Sequence, residues 1–245
     1  AETTVRIRLV NTGALVDAVI QTPDGRVNYE GDVAIDGVPG TAAPVILNFV
    51  EATGSKTGAL FPTGQRKEEI EGVEVSLVDA TMPAMVLKAS DAGVTGYESA
   101  AELDANKEFF AFVENLRMEA GRRMGLGDVS KSVVPKIMLL APPKNGGVIT
   151  SRYLVPMSTH SAHAVTGAIT LACCVAAEGT IAEGIADKDA IVDDAMEIEH
   201  PSGTIGVALK MNDSGNHAEV ESAGIIRTAR LLFSGDVMVP ESAIG

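Results

Sequence analysis

Pro156-Met157-Ser158-Thr159-His160-Ser161-Ala162-His163-Ala164-Val165-Thr166-Gly167 is the stretch whose reading decides the fold. The apolar run before it, 148–155, reads as a strand, and the run after it, through Ala177, is apolar on nearly every face of a helix. A helix that is apolar all round has to be central, so strands must wrap it. Three hydroxyls, Ser158, Thr159 and Ser161, precede it and read as its caps, which puts the helix start near Ser158. The first turn then points backbone N–H groups and the positive end of the helix dipole at whatever lies in front, an arrangement that suits a carboxylate. His160 stands there as a donor to such an anion or as an assisting proton carrier, against the alternative of a buried histidine that satisfies its own backbone. Thr166 and Gly167 fall in the first turns, where small residues admit a ligand or another backbone.

Working outward, 137–141 is a short, wholly apolar strand, and Pro142-Pro143 and Gly146-Gly147 turn the chain into 148–155. Between 99 and 124 the spacing of Leu103, Phe110, Val113, Leu116 and Ala120 predicts one helix, capped by Ser99 with Glu102 three residues on and ended by Gly125 and Gly127. Upstream, strands are expected at 5–10, 15–22, 27–29 and 45–49, with a turn at Pro23-Asp24-Gly25. A further pair at 73–78 and 84–87 is broken at Met82-Pro83. Downstream, strands are expected at 196–199, 204–211, 219–228 and 237–239. Turns fall at His200-Pro201-Ser202-Gly203 and Asp213-Ser214-Gly215-Asn216. The class is α/β, of the α+β kind.

Composition narrows the function. Of 245 residues, 46% are hydrophobic and 21% charged, enough apolar material for a core and far from a disordered composition. A net charge of -14, with no lysine and arginine cluster interleaved with aromatics, excludes a nucleic-acid partner. The longest apolar stretch, 162–177, is shorter than the roughly 20 residues a bilayer span needs, so no membrane association is expected. Cys173 and Cys174 are adjacent in an apolar run, which is neither a disulfide framework nor a zinc spacing. They read as core residues of a chain from a reducing, cytoplasmic compartment. His160, His163, His200 and His217 show no ligand-like clustering with carboxylates or thiols, so no metal and no cofactor is expected. Gly54-Ser55-Lys56-Thr57-Gly58 is rich in donors but lacks the order of a phosphate-binding loop; it reads either as a solvated loop or as a contributor of Ser55 and Thr57 to a substrate.

The chain resembles one family in many separate places. The matching motifs are Gly31-Asp32, Ile35-Asp36-Gly37-Val38-Pro39-Gly40-Thr41, Pro62-Thr63-Gly64, Gly93-Val94-Thr95-Gly96-Tyr97-Glu98 and Leu126-Gly127-Asp128-Val129. Further on come His163-Ala164-Val165-Thr166-Gly167-Ala168, Glu199-His200-Pro201-Ser202-Gly203 and Arg227-Thr228-Ala229-Arg230. In this order they resemble the 2-methylaconitate isomerases, 4-oxalomesaconate tautomerases and methylitaconate isomerases, nearly end to end. The resemblance implies a fold like that of diaminopimelate epimerase, with two pseudo-symmetric subdomains, each a curled mixed sheet around a central helix. Residues 1–90 would be the remainder of the first, incomplete one. Residues 91–245 would form the second, whose last strands are free to return to the first.

It also implies cofactor-independent proton transfer beside a carboxylate, causing double-bond migration or cis–trans change in a small unsaturated di- or tricarboxylate. The family's acid–base lysine and cysteine, and its Met-Arg-Gly-Gly-Thr-Ser-Lys-Gly and Asn-Cys-Gly-Asn motifs, do not occur in this chain. With the absence of an initiator methionine and the abrupt first strand, that reads as a chain whose N-terminal segment is a missing partner. The catalytic residues are therefore unassigned, with His160 as the candidate assistant. The reading of the helix start and the resemblance together give the substrate-binding set Ser55, Thr57, Met82, Ser158, Thr159, His160, Ser161, Thr166 and Gly167. The family's basic residue beside the helix-start histidine is replaced here by Ser158 or Ser161, and Thr81-Met82 stands where many members have other residues before Pro83. A homo-oligomer is compatible with this reading. The alternative is a catalytically incomplete fragment that only binds a polycarboxylate.

Overall fold

The computed structural model describes residues 1–8, 10, 15–50, 52–214 and 218–243. The chain opens with β1 (Glu2–Arg8) and β2 (Leu15–Gln21), an antiparallel pair, followed by a small two-stranded sheet of β3 (Val33–Ala34) and β4 (Thr41–Ala42). Then come β5 (Pro44–Val50), β6 (Glu68–Ile70), β7 (Val73–Asp79), β8 (Pro83–Lys88), α1 (Ala100–Ala105) and α2 (Lys107–Arg123). After these run β9 (Lys136–Ala141), β10 (Ile149–Val155), β11 (Ser158–Thr159) and α3 (Val165–Ala176). The last strands are β12 (Ala195–His200), β13 (Gly203–Asp213) and β14 (Ala218–Thr228). Twelve strands form one sheet in the order β1-β2-β5-β14-β13-β12-β10-β9-β8-β7-β6, with β11 folded back on β10. It is mixed: β8 with β9 and β10 with β12 are parallel, and the rest are antiparallel.

Strand alternation builds two cores from one sheet. Val78, Val86, Met138, Leu140 and Tyr153 face α3, while Leu77, Met85, Leu87, Ile137, Leu139 and Leu154 face α2. On the α3 side, Ile198, Val207, Leu209 and Ile225 of β12 to β14 close the same cluster, so the sheet curls round the helix. Every residue of α3 from Gly167 to Val175 is buried, including both cysteines. That is the central helix its apolar pattern requires.

The helix starts later than its sequence suggests. A turn at Pro156-Met157 sends Ser158 and Thr159 back as β11, paired with Val155 and Leu154, and the residue at the N-cap is Ala164, which makes no side-chain cap bond. Ser158, Thr159 and Ser161 are therefore not caps, because a hairpin claims the first two. The single helix expected over 99–124 is two, broken at Asn106, whose side chain accepts the Phe109 N–H and opens α2. The Ser99–Glu102 capping box is present in full. No strand forms at 27–29, where Asn28 bonds Gln21 and both N–H and carbonyl of Glu30, and none at 237–239. Gly215, Asn216 and His217 lie outside the described residues.

Hydrogen bonding runs across residue 90, because β8 pairs with β9 and β7–β8 pack on α3. At the other end β14 returns to pair with β5, joining the last strands to the first. All seven residues of β1 are exposed, at the free edge of the sheet.

Candidate functional site

The polar groups of the chain converge where α3 begins. The first N–H bonded into its ladder is that of Ala168, to Ala164 O at 2.8 Å, so the N–H groups of Val165, Thr166 and Gly167 lie ahead of it. Tyr153, on the α3 face of β10, crosses this first turn. Its hydroxyl donates to Met82 Sδ at 3.2 Å, and its ring lies 4.9 Å from that of His163 and 5.9 Å from that of His160. The ring occupies the place a side chain at Gly167 would take, so packing explains that glycine. The turn between β7 and β8 closes one flank. Thr81 donates to Thr166 O at 2.7 Å, and Thr170 donates to Met82 O at 3.1 Å.

His163 is buried, with Nε2 3.4 Å from Ser151 Oγ and Nδ1 3.1 Å from Ala164 O. Burial holds its pKa down to about 4, so it is neutral and structural near neutral pH. His160 differs: it is half-buried, and its Nδ1 accepts the Ala162 N–H at 3.0 Å. That bond assigns the proton of the neutral ring to Nε2, which has no protein acceptor among the described residues. His200 repeats the device. It is half-buried too, and its Nδ1 accepts the Ser202 N–H at 3.1 Å. The turn that carries His200 is latched to the loop that carries His160 and His163 by the Ser202 hydroxyl, which donates to Ser161 O. Burial lowers the His200 pKa; a hydrogen bond to the Thr204 backbone and the charge of Asp36 pull it back up, and the charges of His160 and Arg152 lower it further.

Around this lie the supports. Glu199, beside His200, is buried and accepts N–H groups of Lys144 (2.9 Å), Asn145 (2.5 Å) and Gly147 (3.1 Å) and the Thr150 hydroxyl (2.7 Å). Burial opposes its charge, but these donors outweigh it and hold the carboxyl below its ordinary value. The Arg152 guanidinium is buried and donates to Glu98 O at 2.6 Å and Ser151 O at 3.1 Å. Asp36 accepts the Thr204 N–H at 2.7 Å and sits against Gly203, bracing the turn from outside.

The expected substrate-binding set does not form one group. Met82, Thr166, Gly167 and His160 meet at the α3 start. Ser158 and Ser161 are exposed on the hairpin and loop before it. Thr159 has its N–H bonded to Asp104 Oδ1 at 2.7 Å and its hydroxyl buried without a partner. Ser55 and Thr57 are committed elsewhere: both hydroxyls donate to the buried Asp79 carboxylate, at 2.6 and 2.8 Å, with the N–H groups of Lys56 and Thr57 completing the cage. Sequence reasoning passed over His200 as part of a turn; its signal was the Glu199-His200-Pro201-Ser202-Gly203 motif. Burial pushes the Cys173 thiol up and the Cys174 thiol up to about 11, which leaves neither as a nucleophile. Among the described residues no three His, Cys, Asp or Glu side chains gather as a metal site, and no helix is long and apolar enough to cross a membrane.

A curled mixed sheet around one buried helix defines a mixed α/β fold with a central helix. The chain belongs to the PrpF protein family, which it matches over residues 2–240. It is 43% identical over 238 residues to the (4E)-oxalomesaconate Delta-isomerase of Novosphingobium sp. (strain KA1), covering 97% of this chain and 66% of that one. It is 41% identical over 245 residues to the 4-oxalomesaconate tautomerase of Pseudomonas putida, covering 100% and 67%. In structure it is similar to a crystal structure of methylitaconate-delta-isomerase, with a TM-score of 0.85 and 29% identity over 96% of this chain and 65% of that one. The chain thus spans about two thirds of the length of the relatives it matches.

Proposed function

We propose that this chain acts in a cofactor-independent isomerase or tautomerase of small unsaturated di- or tricarboxylates, of the 4-oxalomesaconate or 2-methylaconitate type. In this reading the α3 start holds one substrate carboxylate, and polypeptide outside residues 1–245 supplies the proton-transfer groups. The observation that carries it is the helix start itself: N–H groups ahead of the ladder, with the Nε2–H of His160 beside them. The named activities of the relatives support the substrate class. Residues 1–90 remain with one subdomain and 91–245 with the second, β7 and β8 serving both. The setting is cytoplasmic, and a homo-oligomer accommodates it.

The test is turnover of 4-oxalomesaconate, 2-methylaconitate and methylitaconate by the gene product that contains this chain. Isomerisation of one of them is expected, and inertness towards all three sinks the proposal. In the same assay His160→Ala is expected to lower substrate affinity and His217→Ala to leave it unchanged.

A further inference from the structure

We infer that Lys136 is an anion-binding residue of this site, its ammonium pairing with a carboxylate of the ligand in front of the α3 start. The inference rests on the reading of that start as a carboxylate site and names the cation that joins it there.

Lys136 opens β9 and is only 8% exposed. Among the described residues its ammonium has no hydrogen-bond acceptor and no ion-pair partner. Burial holds its pKa below the ordinary lysine value, and the charge of Arg117, of like sign, lowers it further. That guanidinium is itself spent on the Glu114 carboxylate and on the carbonyls of Val129, Ser132 and Val134. An ammonium taken out of water without an anion is among the costliest arrangements a fold can hold, so its partner has to come from outside these contacts.

The sheet sets where that partner stands. Lys136 pairs with Ala84 of β8, and paired residues point to one face. Ala84 is packed in the α3 core, so Lys136 points to the α3 side and not to the α2 side, where Ile137 and Leu139 lie. The end of the sheet is fixed too. β8 and β9 run parallel and begin where the helix begins: Thr81, just ahead of β8, donates to Thr166 O, and Thr170 donates to Met82 O. Tyr153, opposite Met138 on β10, spans β9 to reach Met82 with its hydroxyl. Lys136, two residues ahead of Met138 on the same face, therefore borders the outer edge of that span, in front of the helix. Around it the sheet offers Ala84, Met82, Tyr153 and, next after Leu154, Val155, none of them a carboxylate. A buried cation and the N–H groups ahead of the helix ladder, approached from the same side, suit a carboxylated ligand.

Lys136→Met in the gene product that contains this chain tests it, because methionine keeps most of the stem and removes the charge. Tricarballylate is the probe, titrated by calorimetry, with urea midpoints measured in its absence. Affinity is expected to fall about tenfold or more, the size of one lost hydrogen bond to a charged group, while the midpoint without ligand holds or rises, since the variant no longer buries an unpaired ion. Lys131→Met removes an equal charge from the exposed turn ahead of β9 and is expected to leave the affinity unchanged. The inference is overturned if Lys136→Met leaves tricarballylate affinity as it was, or if Lys131→Met weakens it equally. A fallen midpoint overturns it too, because a structural anion has then lost its cation, and so does the absence of saturable tricarballylate binding to the unsubstituted protein. Its failure is distinguishable from that of the catalytic reading. A gene product inert towards all three unsaturated acids, whose tricarballylate binding still depends on Lys136, removes the activity and keeps the residue. Turnover, with tricarballylate affinity undisturbed in Lys136→Met, does the reverse.

Discussion

Tyr153 lies across the first turn of α3 because Gly167 has no side chain: a Cβ there would stand 2.4 Å from Cε2 of the tyrosine ring and 3.1 Å from Cε1 of His163. Both rings are boxed in, Tyr153 by its bond to Met82 and His163 by its contacts with Ser151 and Ala164, so neither yields cheaply. Gly167→Ala is expected to cost about 1–3 kcal/mol by overpacking, read from urea denaturation. In a Tyr153→Leu background the penalty should shrink, since the ring edge is gone. An undiminished penalty would mean that the helix start, and not the ring, is what the methyl offends.

The buried His163 makes stability depend on pH. Its folded pKa of about 4 lies below the ordinary 6.5, so in the window between them the unfolded chain takes up the proton and the folded one does not. Its contribution is complete above 6.5 and is lost as pH falls towards 4. Over the whole window that amounts to about 3 kcal/mol. Denaturant midpoints measured from pH 7 to pH 4 should fall accordingly, and His163→Gln should flatten that fall.

Ser55 and Thr57 are expected to matter for stability and not for ligand binding, because Asp79 holds both hydroxyls. Ser55→Ala removes one hydrogen bond to a buried carboxylate and should cost about 1–3 kcal/mol. Tricarballylate affinity in the same variant should be unchanged. A selective loss of affinity at full stability would return the loop to the site.

The fold was legible in the sequence where pattern and burial agree. The all-round apolar run of α3 demands a central helix, and the alternation of β7 to β10 splits its side chains between two cores, as the structure shows. The helix start was misplaced by seven residues' worth of polar chain because hydroxyls read equally well as caps or as a hairpin strand. Pairing of Ser158 and Thr159 with β10 is a tertiary fact that no local preference encodes. Asn106 broke a helix whose apolar spacing runs straight through it, since the spacing reports only which face is buried. The site was half legible. His160 sits in the decisive stretch, but His200 comes from a strand end 40 residues away and joins it only through the curl of the sheet and the Ser202–Ser161 bond. Ser55 and Thr57 look like ligand donors until Asp79 is placed beside them, and their partner is 22 residues or more distant in sequence.

Glu199→Gln tests whether the strand end that carries His200 is held from within. The carboxylate accepts four donors, three of them backbone N–H groups of the turn at 144–147. A glutamine side chain replaces one acceptor oxygen by an NH2 group, which turns a donor towards donors. The native carboxyl has a lowered pKa, so its stabilisation is complete above the unfolded carboxyl value and is lost as pH falls through the folded one. This window opens at the ordinary carboxyl value and runs below it, overlapping only the lower end of that of His163. The variant should therefore lose stability near neutral pH, by about 3 kcal/mol or more, and show a shallower acid slope below the His163 window. Because the displaced turn carries strand β12 with it, tricarballylate affinity should fall as well. Stability lost with affinity intact would show that the Ser202–Ser161 latch holds the His160 loop in place without Glu199.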